Sequence, residues 1–438
     1  MKGQAWGPLK KPFLQGQLAR LSPHRAWRQG RLYSGAYYLL AYSLATAGTG
    51  FFFWVVAARL YPAPQVGLAS SAISAAMLLG VLATLGLHHG LVRFLPGSPR
   101  GSHLANAAFS VASLGAGLAA SVFLMGLGWW APALAPLLKN PLGAPAFAAS
   151  VMAVALTPLL LHTFLAQGQA VLILLVGGLD GTMKLFLLAL GGWLGLSAQV
   201  IFASWSIAVT VGFLVGLCLM PRALPGYRPR PARGIGPLLP LSLASYVSEL
   251  AWYSPTSGLM GWVLPLIVVS SLGPGEAAYF YIAWACMGLA NAIPVATATS
   301  LFAHGSHAPD QVQKNARRTL RLALGLLIPV VVLVWILGDV LLLVFGQAYS
   351  EKSAGLLRWL ALAALPLAFN TQALAIWRVE KRLGRMVALG SLVASLTISL
   401  SLLFLPRWGI PGVGAAWLLA QGAGALVLGR TAWRPRDV

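Results

Sequence analysis

The chain has 438 residues, of which 58% are apolar and only 9% charged, against about 25% charged in an average soluble domain. A water-soluble globule is excluded. Lys and Arg number 30 against 8 Asp and Glu, a formal charge of +22, which in a polar protein would point to nucleic acid; in so apolar a chain the question is where the cations sit.

Residues 1–33 carry seven Lys or Arg and no acid. They lack the uninterrupted apolar core of a signal peptide and read as a retained basic cytoplasmic tail. Twelve apolar segments follow, near 34–58, 66–88, 104–130, 143–166, 169–193, 197–220, 239–269, 276–302, 319–338, 353–377, 384–405 and 411–430. At about 20 residues per crossing each is long enough to span a bilayer. Residues 185–221 hold no charge at all, so the segments are helices rather than the short alternating strands of a barrel. Only residues 166–169 separate the fourth from the fifth, which predicts a tight helical hairpin. The Pro/Arg-rich stretch 221–236 divides six segments from six. The expected fold is therefore an all-α polytopic membrane protein, with about 12 transmembrane helices in two six-helix bundles around a central cavity. Its expected parts are the tail 1–33, a bundle 34–220, the linker 221–236, a second bundle 237–430 and a C-terminal tail 431–438.

Twelve crossings with the N-terminus inside put 24 of the 30 cations on the cytoplasmic side and 4 outside, with Lys184 and Arg358 within or at the edge of helices. The positive-inside rule then sets the orientation, with both termini cytoplasmic. Cys218 and Cys286 both lie in apolar runs and read as packing residues, not as a disulfide or a zinc site.

Four stretches resemble the polysaccharide and lipid-linked oligosaccharide (O-antigen type) flippases of the multidrug/oligosaccharidyl-lipid/polysaccharide exporter (MOP) superfamily. They are the turn at 60–69 (LYPAPQVGLA), the end of the second segment at 86–96 (GLHHGLVRFLP), Phe345 to Tyr349 with Leu356, Leu357 and Leu360, and the hairpin at 405–416 (LPRWGIPGVGAA). The resemblance implies a pair of bundles that alternate between inward-open and outward-open states. It also implies a polyprenyl-diphosphate-linked oligosaccharide as cargo for surface polysaccharide or lipopolysaccharide synthesis, the bacterial cytoplasmic (inner) membrane as location, and no cofactor and no enzymatic activity. Expected partners are the lipid-linked substrate, membrane lipids and other polysaccharide-assembly membrane proteins, with no nucleic acid, and the chain is expected to be a monomer.

Charges inside the hydrocarbon are costly and mark a partner or a function. Asp180 and Lys184 lie four residues apart, on one helix face. They form either a structural pair or a substrate site in which Lys184 meets a diphosphate or sugar. Glu249 has no partner within a helical turn and reads either as a hydrogen-bonded structural group or as an ion-coupling or substrate-binding one, with Asp180 the other acid available for coupling. Ser242, Ser245, Tyr246, Glu249, Trp252 and Tyr253 fall in one stripe of the seventh segment, and Ser34, Tyr38, Tyr42, Thr46 and Thr49 in one stripe of the first. Both stripes are placed on the central cavity, against the alternative of hydrogen bonding between helices. Arg93 and Arg358 are candidate diphosphate contacts through bidentate guanidinium bonds, or else snorkel to the interface. His88 and His89 read as packing at a helix end and not as a metal site, because no acid or cysteine is near them in sequence.

Two other functions compete. A multidrug or small-solute cation-coupled antiporter of the same superfamily is disfavoured because residues 34–58 contain no Asp or Glu, whereas that branch keeps an acid in its first helix. A polymerase or ligase of polysaccharide assembly would need an acid or base pair in a sizeable outer loop, and the outer acids Glu276, Asp339 and Glu351 stand singly at helix edges.

Overall fold

The computed structural model describes residues 23–96, 98–196, 199–232, 236, 238–253, 258–307 and 311–429. Among these residues the chain is helical, without strands. The reason lies in the apolar runs: in hydrocarbon every backbone N–H and C=O must find its partner within the segment. The helices are α1 Pro23–Leu60, α2 Ala63–Ala83, α3 Leu87–Phe94, α4 Gly101–Met125, α5 Gly143–Ala166, α6 Ala170–Trp193, α7 Gln199–Ala223, α8 Leu239–Tyr253, α9 Gly258–Leu272, α10 Pro274–His307, α11 Val312–Leu342, α12 Gln347–Val379, α13 Leu383–Trp408 and α14 Ile410–Gly424. Short helical turns at Leu127–Trp130 and Ala135–Leu138 join α4 to α5. Among the described residues, eleven helices are long and apolar enough to cross a membrane.

Within the predicted seventh segment the structure describes helix on both sides of residues 254–257, α8 and α9, and residues 254–257 lie outside the described residues. The second segment is interrupted. Between α2 and α3, Leu85 and Gly86 take φ of 46° and 66°, a left-handed pair that redirects the chain. Only glycine fits at 86: a Cβ there would stand 2.5 Å from the Ser242 carbonyl oxygen and 2.7 Å from the Tyr246 Cβ.

The helices form two lobes. In the first, α1 packs on α6, α6 on α7, and α5 takes α2, α4 and α7 on its sides. In the second, α12 is the central helix, against α10, α11 and α14, while α13 packs on α14 and α8. Helix α2 belongs to both, because it also meets α9 and α10. Its sequence explains that place: Ala69, Ser70, Ser71, Ala72, Ser74, Ala75 and Ala76 are all fully buried, and small side chains let helix backbones approach closely where lipid supplies no hydrophobic drive between helices.

The lobes touch on both faces of the bundle. On the face opposite the linker, a Cβ on Gly67 would overlap the Pro274 carbonyl, Trp54 lies 4.5 Å from Tyr281 between ring centroids, and the Arg59 guanidinium donates to the carbonyls of Leu343 and Val344. On the linker face, α3 meets α8. The linker itself is docked: Asn106 donates to the Arg228 carbonyl at 2.9 Å and the Ala232 amide donates to the Ser110 hydroxyl at 3.1 Å. Burial of Tyr227 there pushes its phenol up to about 12.

Candidate functional site

Three adjoining cavities run through the first lobe to its contact with the second. The largest, about 470 Å³, is walled by α1, α2, α5, α6 and α7, and its polar lining is Tyr42, Thr84, His88, Thr157, His162 and Glu249. A second, about 160 Å³, shares Met77 with it and lies between the lobes, lined by Phe53, Trp54, Trp205, Trp262, Tyr281, Ser74 and Lys184. A third, about 90 Å³, shares Tyr42, Thr157, Leu161 and Val209 with the first and reaches Asp180.

Lys184 and Asp180 form the i,i+4 pair that their spacing predicts, with Nζ to Oδ2 at 3.3 Å. They face different spaces, the lysine the aromatic chamber and the aspartate the small cavity. Lys184 is buried. The second carboxylate oxygen of Asp180 is also buried and has no hydrogen-bond partner, so the pair leaves acceptor capacity unused at a cost that membrane burial makes large.

The polar stripe of α8 divides: Ser242 and Tyr246 face α2 and α3 of the other lobe, while Glu249 lines the large cavity. Ser242 is fully buried opposite Gly90, whose added Cβ would meet its hydroxyl at 2.5 Å. The Tyr246 hydroxyl donates to the Leu82 carbonyl at 3.0 Å. Trp252 is buried with the Arg378 guanidinium 5.8 Å over its ring. The side chain of Tyr253 lies outside the described residues.

Glu249 was read from sequence as lacking a partner within its helix; its partners stand about 160 positions away. Its Oε2 lies 3.0 Å from His89 Nε2 and 3.4 Å from His88 Nε2. The reading of His88 and His89 as packing residues is corrected, since the acid that sequence could not place beside them is Glu249. Backbone redirection at Leu85 and Gly86 starts α3 immediately before both imidazoles, whose ring centroids are 4.1 Å apart. His162 of α5 joins them at 4.7 Å from the His88 ring.

The stripe of α1 divides. Tyr42 lines the large cavity and packs on Gly177 of α6. Thr46 and Thr49 donate to their own helix, to the carbonyls of Tyr42 and Ala45 at 2.8 Å each, and Thr49 covers Gly181. Tyr38 is exposed, and the side chain of Ser34 lies outside the described residues. Arg93 is exposed at the end of α3. Arg358 does not line a cavity: its Nη2 donates to Asp339 Oδ2 at 2.7 Å, with both side chains partly exposed near the face opposite the linker. The pair forms because α11 and α12 make a hairpin whose joined ends bring the two residues together.

Sequence reasoning also missed a neutral network inside the second lobe. Thr319 donates to Gln372 Oε1 and Gln372 Nε2 donates to Thr297, both at 3.0 Å, while Asn370 Nδ2 donates to Gln421 Oε1 at 2.7 Å. Asn370, Gln372 and Gln421 are fully buried. Amides scattered through apolar runs are the only signal for it, and helical spacing alone does not pair them.

This is a multi-pass helical membrane protein whose two lobes enclose polar and aromatic cavities. Residues 243–408 match the MatE family model, and no curated protein matches the chain in sequence. Among solved structures the chain is similar to the lipid II flippase MurJ in its inward closed conformation, at 13% identity over 89% of this chain and 86% of that one, TM-score 0.71. It is also similar to a multidrug resistance MATE family transporter of the MOP superfamily, at 15% identity over 90% of this chain and 93% of that one. The TM-score is 0.64 for the inward-facing and 0.52 for the outward-facing conformation. At these identities the likeness establishes the fold alone: two lobes arranged as in these solved structures.

Proposed function

We propose that this protein is a flippase that moves a polyprenyl-diphosphate-linked oligosaccharide from the cytoplasmic to the outer leaflet of a bacterial cytoplasmic membrane by alternating access. The observation that carries this reading is the chamber around Lys184. A buried ammonium stands in a space walled by Trp54, Trp205, Trp262 and Tyr281, with contributions from both lobes. Aromatic faces suit sugar rings, and an ammonium suits a phosphate oxygen. Both lobes wall the chamber, so rocking one against the other would remake it on the other side. Asp180 holds Lys184 in place, Tyr42 lines the cavities beside it, Tyr246 and Trp252 brace α8 beside the path, and Arg93 on the linker face is the recruiting contact for the diphosphate. Arg358, tied to Asp339, is given a structural role. Glu249 and Asp180 are the acids assigned to cation coupling. The linker face is cytoplasmic on this reading, following the positive-inside rule applied to the linker's own arginines. The protein performs transport and no covalent chemistry.

The test is flipping of a lipid-linked oligosaccharide in proteoliposomes, together with surface polysaccharide in cells. Lys184→Ala and Arg93→Ala should lower both at unchanged expression, and full export in both variants removes these site assignments. The second reading, a cation-coupled antiporter of small solutes, is favoured by the largest cavity, which is mostly apolar with a single acid and is of drug-ligand size. Solute efflux that depends on Glu249, with no lipid-linked sugar flipped, would select it.

A further inference from the structure

The cluster at the junction of α3, α5 and α8 has a geometry that neither transport reading requires. Glu249 Oε2, His88 Nε2 and His89 Nε2 all lie within 4.8 Å of one another, with the two His–Glu separations at 3.4 and 3.0 Å. A tetrahedral zinc centre with bonds of ~2.0–2.1 Å spaces its ligand atoms about 3.3 Å apart, so these separations are those of ligands around one ion. Imidazole and carboxylate donors suit zinc, copper and nickel.

Two further features point the same way. His162 Nδ1 lies 2.8 Å from the Pro158 carbonyl. A carbonyl only accepts, so Nδ1 carries the proton in the neutral ring and the Nε2 lone pair is left free to ligate, the orientation that metal-binding histidines show. His88 Nδ1 is buried without a hydrogen-bond partner, so contacts among the protein's own groups do not satisfy the cluster. The cavity that gives access to it is lined by no Lys or Arg. A divalent ion would supply positive charge to the part-buried Glu249 carboxylate beside the two imidazoles.

We propose that His88, His89 and Glu249 bind a zinc-class transition metal ion that clamps the two lobes together at the linker face. The histidines belong to the first lobe and the glutamate to the second, so the ligand set is complete only when α3 meets α8. An ion that binds that arrangement better than the open one shifts the equilibrium towards it. The inference is independent of the cargo and stands whether the protein moves a lipid-linked sugar or a small solute.

The test uses the full chain in detergent with any affinity tag removed, titrated with Zn²⁺, and with Co²⁺ as a spectroscopic probe, against a competing chelator. One ion per chain and tetrahedral Co²⁺ absorption are expected. Affinity should fall about 10–100-fold in His88→Ala, His89→Ala and Glu249→Gln, and should be unchanged in His304→Ala, an exposed histidine elsewhere. Glu249→Gln preserves shape and remains informative if a histidine variant fails to fold. Spin labels at exposed Val92 on α3 and Leu243 on α8 should show Zn²⁺ narrowing the distance between lobes in the parent chain and not in Glu249→Gln. Absence of binding at millimolar Zn²⁺, equal affinity in Glu249→Gln and the parent, or binding that leaves the label distances unchanged overturns the proposal.

Discussion

The lobes of this protein meet on opposite faces through seams of different chemistry. Away from the linker, the seam is made of backbone and rings: Gly67 under the Pro274 carbonyl, Trp54 against Tyr281, Phe51 5.7 Å from Phe345, and Arg59 on two carbonyls. On the linker face it is made of ionisable side chains, with His88 and His89 on Glu249. Packing of the first kind is non-directional and indifferent to ions, whereas a carboxylate among imidazoles responds to whatever cation reaches it. On the proposed alternating-access reading each seam opens in turn, and the linker-face seam carries the carboxylate that a bound cation can address.

The largest effect should come from Gly67→Leu, because the new side chain cannot clear the Pro274 carbonyl. Overpacking of this kind costs about 1–3 kcal/mol or more, here charged to one conformation. The seam away from the linker should open, read as increased distance between spin labels on α2 and α10 and as loss of transport. A population unchanged from the parent would mean that this seam does not hold the structure closed.

Next is Gly86→Val, which places a β-branched residue at φ of 66° and drives a methyl group towards Ser242 and Tyr246. Left-handed strain alone is about 1–2 kcal/mol. The expected outcome is selective opening of the linker face, with cysteines introduced along the large cavity becoming reactive to a water-soluble maleimide while the opposite seam stays protected.

Arg59→Ala removes hydrogen bonds to the carbonyls of Leu343 and Val344. Charged hydrogen bonds contribute about 1.5–3 kcal/mol when shielded, and less here because the group is exposed. A fall of a few degrees in Tm and a partial loss of transport are expected. The smallest effect belongs to Arg358→Gln. Its bond to Asp339 is a part-exposed ion pair contributing about 0–1 kcal/mol, so transport and Tm should stay near those of the parent. A loss as deep as that of Lys184→Ala would return Arg358 to the substrate path.

Much of the fold was legible because membrane burial writes itself into composition. The fourth predicted segment, 143–166, is α5, and the fifth, 169–193, differs from α6 by one residue at its start. The break within the second segment is not legible in hydropathy, because it rests on the backbone of Leu85 and Gly86 and not on a polar residue. At the site, Asp180 with Lys184 could be read because the helix alone brings residues four apart together. Glu249 with His88 and His89 could not, since no local period relates positions about 160 residues apart. Thr46 and Thr49 illustrate the opposite error: their stripe was real, but α1 turns it onto Gly177 and Gly181 of α6 as well as towards the cavity.

By itself, then, the sequence determined the solvent and the helices, because each depends on the free energy of a segment in lipid, a sum over its own residues. The tertiary structure alone decided which charges are deep, which are tied off at an edge, and which complete each other across the lobes. Those outcomes depend on distances between helices, and such distances are set by small residues on α2 and by two left-handed residues before α3 rather than by the charged groups themselves.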